Sequence, residues 1–429
     1  MVKNFLKKIE TTYEKRISLI LFFYLIFVTI LSLIFSTLIE IKFPEMINNH
    51  SIILKELQFN YGELTSNIFY NNKYVSEWNG IDNYLVRYPF LPHFVSALGK
   101  VSLNLYIFLV LKNLIFFSIL FFACNIFTKN YKKNYKYFFI FLSIFFYNYY
   151  NLTSALNFFF SDSFIAILLP STFFILISNF RLKYFIISLL LFCLYFTKTT
   201  MFFITCGIAI LFYILEKDLK NYQKILPLIF VLIAVIIWGS FGYIKTGKFP
   251  IGASASSNNQ EALSITLNKE FHKYYPSLSV DLIPKVKVDE KFDNEWGYYE
   301  YYKNLNSKYI KNNKERIFKD TLIKIKFILF NYRKDAVTPD KDGNYENPIM
   351  FSHIINRIIF IFSILYAIKN IYKSYTKKYF PVIECYFLLI LTLSIAPYII
   401  GWATSKHLVP IFLVSHIYFV LRFLEYKKI

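Results

Sequence analysis

The chain repeatedly runs for about 20 residues with almost no charge and then breaks at a polar stretch, the length an α-helix needs to cross the hydrocarbon core of a bilayer. Ten such runs are predicted as spans: Ile17 to Ile39, Asn104 to Phe127, Tyr137 to Tyr150, Ser163 to Asn179, Tyr184 to Thr197, Thr200 to Leu215, Ile225 to Ile244, His353 to Tyr372, Pro381 to Ile400 and Leu408 to Leu424. The third, fifth and sixth are short. Composition agrees: 56% of the 429 residues are apolar and only 17% are charged, which excludes a disordered chain and argues against an ordinary soluble enzyme. The reading is an all-α integral membrane protein with about ten transmembrane helices.

The formal charge of +21 does not by itself point to nucleic acid. Lysine and arginine resist translocation and collect in short cytoplasmic loops. With the N-terminus inside, 21 of the 48 basic residues fall in the inside segments, and the short outside connections hold almost none, with Lys198 and Lys406 as exceptions. Both termini are therefore expected in the cytoplasm. The basic stretch before Ile17 leads into a run longer than a secretory h-region and reads as an uncleaved first span. The four cysteines, Cys124, Cys193, Cys206 and Cys385, lie in apolar runs without metal or redox spacing and are expected as buried free thiols.

This topology divides the chain into a cytoplasmic N-terminus (1–16), an N-terminal membrane region (17–244) of about seven spans, a large outside loop (245–352) and a C-terminal membrane region (353–429) of about three. The N-terminal region includes a first outside loop over 40–102, in which Phe94, Val95, Ala97, Leu98 and Val101 read as one face of an interfacial helix. In the large loop, Trp296 to Tyr332 lacks proline and keeps helical apolar spacing at Ile317, Leu322, Ile325 and Leu329. Trp78, Trp296 and Trp402 read as interface anchors.

Ionisable residues at the edges of spans are where function is sought, because burying them costs free energy. Asp162, in Ser161-Asp162-Ser163, stands at the outer mouth of the fourth span, where it reads equally as a helix cap or as a functional acid. Lys198 sits in the outside turn Thr197-Lys198-Thr199-Thr200, and Lys406-His407 precedes the last span. Lys112, nearer the middle of the second span, either snorkels or pairs within the bundle, and no role is assigned to it. The first outside loop contributes Glu56, Glu63 and Arg87 among other charges. Asn49-His50-Ser51 and Asn151-Leu152-Thr153 match the glycosylation acceptor pattern, which is frequent by chance in asparagine-rich chains. The six histidines show no metal-ligand spacing.

Taken in order, several motifs resemble the GT-C class of polyprenyl-phosphate-sugar-dependent glycosyltransferases, of the dolichyl-phosphate-mannose-protein mannosyltransferase and lipid A aminoarabinose transferase type. Tyr61-Gly62-Glu63-Leu64-Thr65-Ser66-Asn67-Ile68 with Asn71-Asn72-Lys73 resembles the family's first-loop helix, and Arg87-Tyr88-Pro89-Phe90-Leu91-Pro92 resembles its Arg/Lys-Pro-Pro segment. Ser161-Asp162-Ser163 resembles the acidic residue of the second outside loop, and Thr197-Lys198-Thr199-Thr200 is similar to a Thr-Arg-Pro turn. Gly242 to Pro250 and Ser405-Lys406-His407-Leu408-Val409-Pro410 match the exit from the middle span and the Arg-Tyr-x-x-Pro entry to the last. The chain departs from the family where Leu57 replaces the usual first-loop Asp; Glu56 is the nearest acid and Glu63 the second choice.

The resemblance implies a GT-C-like architecture and an inverting sugar transfer from a polyprenyl phosphate to an acceptor hydroxyl on a glycan, lipid or protein of the cell envelope, at the outer face of a bacterial cytoplasmic membrane. Glu56, Asp162 or Glu63 would act as general base. Arg87, Lys198, Lys406 and His407 would bind the lipid phosphate. The expected partners are the bilayer, the lipid-linked donor and the acceptor, with no nucleic acid. No cofactor is called for, although a divalent metal is compatible with such chemistry. The rival classes are a polysaccharide polymerase or lipid-linked-sugar flippase, which should carry ionisable residues at mid-membrane, and a non-catalytic membrane subunit.

Overall fold

A computed structural model describes residues 2–42, 61–78, 80–85, 87–130, 148–157, 161–251, 260, 263, 292–330, 347–378, 380–400 and 405–426. Apart from one antiparallel hairpin, β1 (Ser76–Trp78) and β2 (Ile81–Asn83), the regular structure among them is helical. The helices are α1 (Val2–Lys42), α2 (Tyr61–Asn71), α3 (Phe90–Val101), α4 (Leu105–Asn130), α5 (Tyr149–Leu156), α6 (Ser161–Leu176), α7 (Lys183–Tyr195), α8 (Met201–Leu215), α9 (Asn221–Thr246), α10 (Glu295–Asn312), α11 (Lys314–Phe330), α12 (Asn347–Lys377), α13 (Val382–Ile400) and α14 (Ser405–Tyr426).

Five of these, α1, α4, α9, α12 and α13, contain stretches long and apolar enough to cross a membrane, which makes the chain a multi-pass helical membrane protein. The remaining expected spans take other forms. The fourth is α6, bent by 111° from α5 at a short break; the fifth, sixth and tenth are the shorter apolar helices α7, α8 and α14. Most of the third lies outside the described residues.

Helix α6 is the centre of the bundle. Every residue from Ser161 to Leu176 is buried, as expected of a helix that is apolar all round and packed on all sides, here by α4, α5, α7 and α14. Pro170 lies within it, while Ser171 and Thr172 donate their hydroxyls to the Ile167 and Leu168 carbonyls. The outward faces of α1, α9 and α12 carry exposed Phe, Ile and Leu, consistent with lipid contact.

Described parts of the segments assigned to the outside meet at one end of the bundle. The Phe90 amide donates to the Phe196 carbonyl of the α7–α8 turn. At the opposite end Lys183 pairs with Glu216 at 2.6 Å and Arg422 with Glu384 at 2.5 Å, and Glu384 also accepts from Asn370 and Tyr418.

Several local expectations are corrected. In α3 the buried face is Leu91, Val95 and Leu98, whereas Ala97 and Val101 are exposed, because the helix packs on α2 and α4 through the i, i+4, i+7 row. The predicted helix over 296–332 is two helices broken at Asn313, and Leu322 is exposed while Asp320, Lys324 and Ile328 are buried. Trp296 is not an interface anchor: it is buried, and its indole N–H donates to Thr246 Oγ1 at 2.7 Å. The side chain of Trp78 and all of Trp402 lie outside the described residues. The cysteines are free, but only Cys124 is fully buried; the other three are half-buried. Asn151 is buried and exchanges amide hydrogen bonds with Asn356, so the second glycosylation match is a packing residue. Asn49 lies outside the described residues.

Candidate functional site

The α7–α8 turn is tight because Thr197 turns its hydroxyl onto the Leu194 carbonyl at 2.6 Å and the Met201 amide bonds to the Lys198 carbonyl at 2.9 Å. That geometry turns Lys198 inward. Its ammonium donates to Asp162 Oδ1 at 2.8 Å, joining residues 36 apart in sequence. Asp162 lies in the first turn of α6, where the helix dipole favours a carboxylate, so the capping and functional readings coexist at this position.

Two residues from the end of the chain complete the group. His407, in the first turn of α14, places Nε2 3.9 Å from Asp162 Oδ2. Its ring stacks on Tyr398 of α13 with centroids 4.7 Å apart, and the Tyr398 hydroxyl lies 3.5 Å from Lys198 Nζ. The pair is little exposed, with Asp162 at 7%. Burial alone would lower the Lys198 pKa, but the Asp162 carboxylate overrides it and holds the ammonium above the ordinary lysine range.

Beside this group, the Arg87 guanidinium lies 5.4 Å from the ring centre of Tyr61, and the Tyr74 hydroxyl donates to the Arg87 carbonyl. Tyr61 is close enough to Lys198 to add to its electrostatic environment. Aromatic packing ties the parts together: Phe164, two residues after Asp162, meets Phe116 of α4 and Phe90 and Phe94 of α3 with centroids 4.8 to 5.9 Å apart.

The large loop is docked against this first-loop segment. Glu295 opens α10, whose Trp296 and Gly297 amides donate to the Asn294 side chain, and its carboxylate accepts from the Tyr84 and Leu85 amides at 3.3 and 3.1 Å. Burial pushes its pKa up to about 7, against the two amide hydrogen bonds that lower it.

The predicted residues thus divide. Asp162, Lys198 and His407 meet, and Arg87 stands near them through Tyr61. Glu63 does not join this group: it is exposed, and its carboxylate accepts from the Glu77 amide at 2.6 Å. Glu56 lies outside the described residues, as does the side chain of Lys406. Among the described residues no cluster of His, Cys, Asp and Glu is arranged to hold a metal ion.

Tyr398 and Glu295 escaped the sequence reading, and Tyr61 entered it only as part of a motif, because tyrosine is abundant, at 36 residues, and Glu295 sits in a polar loop. Lys112, expected either to snorkel or to pair within the bundle and given no role, does not snorkel: it is completely buried, and its ammonium donates to the carbonyls of Ala155 and Asn157 at 2.6 and 2.7 Å. No family model matches the chain, and neither a curated protein nor a solved structure matches it.

Proposed function

We propose that the protein is a membrane glycosyltransferase that moves a sugar from a polyprenyl phosphate to an acceptor hydroxyl at the outer face of the membrane, with inversion. The observation that carries this reading is the Asp162–Lys198 ion pair with His407 beside it, gathered from three distant stretches at one end of the bundle. A hydrocarbon-tailed donor stays in the bilayer and presents its phosphate at this depth.

In the reaction, the acceptor oxygen attacks the anomeric carbon and gives its proton to a carboxylate. The bond from that carbon to the phosphate oxygen breaks, and the polyprenyl phosphate leaves with the electron pair. Lys198, with Arg87 nearby, supplies positive charge for the departing phosphate in a site of low dielectric, and His407 adds a ring N–H donor beside them. A carboxylate held by an ammonium is a weak base, so the donor has a second task. Its phosphate competes for Lys198 and leaves Asp162 free to accept the proton.

The same ion pair also favours a rival: a clamp in a non-catalytic subunit would look like this, with acid and base satisfying one another. Reconstitution with a labelled polyprenyl-phosphate sugar separates the two. Transfer is expected to fall about 10²- to 10⁴-fold in Asp162→Asn. Lys198→Met is expected to lose transfer too, while Glu56→Ala tests the remaining first-loop acid. Undiminished transfer in Asp162→Asn would sink its role as base. Absence of polyprenyl phosphate release with any donor and acceptor would favour the clamp.

A further inference from the structure

We infer that Lys112 is a positioning residue for the Asp162–Lys198 pair, because one buried ammonium touches both α5 and the first turn of α6 in which Asp162 stands. On one side, Nζ donates to the carbonyls of Ala155 and Asn157 at the end of α5. On the other, it stands 5.3 Å from the ring centre of Phe164, in the first turn of α6. Asp162 lies between these anchors in sequence.

The chemistry explains why a lysine is there. The last carbonyls of a helix have no partner within it and carry negative partial charge. At an exposed helix end water satisfies them; here both meet an ammonium that is itself 0% exposed. Lys112 is seven residues into α4, about 10 Å along the helix axis from its start at Leu105, deep for a charge. An apolar side chain would fill this volume at less desolvation cost but would leave the carbonyls of the break unsatisfied.

The second anchor extends to Lys198. Phe164 packs against Phe90, and the Phe90 amide donates to the Phe196 carbonyl at 3.1 Å, two residues before Lys198. The ammonium therefore fixes the start of α6, and the start of α6 is packed against the segment that holds the lysine turn. Both partners of the ion pair are referred to the same point.

The role is stated for the pair on which the proposed transfer reaction depends, so the test begins with a measurement that needs neither donor nor acceptor. In a chain whose four native cysteines are replaced by alanine, Asp162→Cys and Lys198→Cys are cross-linked in membranes with a short bis-maleimide. Cross-linking is expected to be efficient with Lys112, several-fold lower with Lys112→Met, and restored by Lys112→Arg, which keeps a cation at the carbonyls. Should Lys112→Met fail to accumulate in the membrane, Lys112→Gln, which keeps a donor without the charge, carries the same comparison. Equal cross-linking in the lysine and methionine or glutamine chains would overturn the inference. In the native-cysteine chain, Lys112→Met is expected to lower kcat about 10- to 100-fold with donor KM unchanged, the signature of a misplaced group rather than lost binding. If cross-linking responds as expected while no variant transfers sugar, the glycosyltransferase reading fails and the positioning role stands.

Discussion

Asp162 and Lys198 illustrate how one residue satisfies two demands. The carboxylate suits the helix N-terminus in which it lies, and the same carboxylate turns toward an ammonium brought from the next outside turn. Glu295 poses the opposite case, a carboxylate buried against two backbone amides. Its pKa is raised from 4.5 to about 7, so between these values the folded chain holds a proton that the unfolded chain has released. Its contribution to stability is therefore complete below about pH 4.5 and is lost as pH rises through 7. Docking of α10 is expected to loosen as pH rises from about 4.5 to about 7, measured by protease sensitivity near residue 295. Glu295→Gln, which mimics the protonated acid, is expected to flatten that dependence. An unchanged pH profile in the variant would rule Glu295 out as the titrating group. Glu295 was not legible in the sequence, and Lys112 was legible only as a charge without a role. Their partners are backbone atoms, which every residue carries, so no side-chain pattern announces them.

Among the elements, the membrane helices were the most legible, since a bilayer core demands contiguous apolar length and that demand is one-dimensional. Helices α4, α9, α12 and α13 lie within a few residues of the predicted runs. The shorter elements were less legible, because which face is buried depends on the neighbour. In α11 the buried row includes Asp320 and Lys324, and in α3 it shifts away from Val101. Helix α9 adds a close approach: a Cβ on Gly242 would stand 2.4 Å from Pro250 Cδ, a rigid ring on the strand of chain that turns back after the helix. Gly242→Ala is expected to cost about 1–3 kcal/mol, visible as a lower denaturation midpoint in detergent. A midpoint equal to wild type would show that the returning segment shifts freely.

At the scale of the whole molecule, the ion pairs of the helix bundle described above lie at its two opposite ends, around an aromatic and aliphatic core. One end holds the Asp162–Lys198–His407 group, and the other holds Lys183–Glu216 and Arg422–Glu384. Lys183 and Arg422 belong to the basic residues of the expected inside segments, and they also close helix ends. Removing one partner of such a buried pair strands the other, so Glu384→Ala is expected to destabilise the bundle by about 3–5 kcal/mol. Adding Arg422→Met is expected to recover much of the loss, and no recovery in a thermal melt would show that Glu384 acts mainly through Asn370 and Tyr418. The proposed orientation has a separate check in whole cells: a cysteine at Lys73 is expected to react with an impermeant maleimide from outside, and one at Asp218 only after the membrane is opened. The reverse pattern would invert the topology and place the candidate site on the cytoplasmic face.

The sequence by itself determined that this chain is a helical membrane protein, approximately where its principal apolar helices run, and which few charges break the loop rule. These properties depend on the solvent, and hydrocarbon reads a chain locally, about 20 residues at a time. Only the tertiary structure decided which of those charges meet. Asp162 finds Lys198 and His407, Glu63 turns to a backbone amide, and Lys112 binds the carbonyls of a broken helix. Such contacts join residues 36, 14 and 43 apart in sequence, and they follow from tertiary packing rather than from any spacing along the chain.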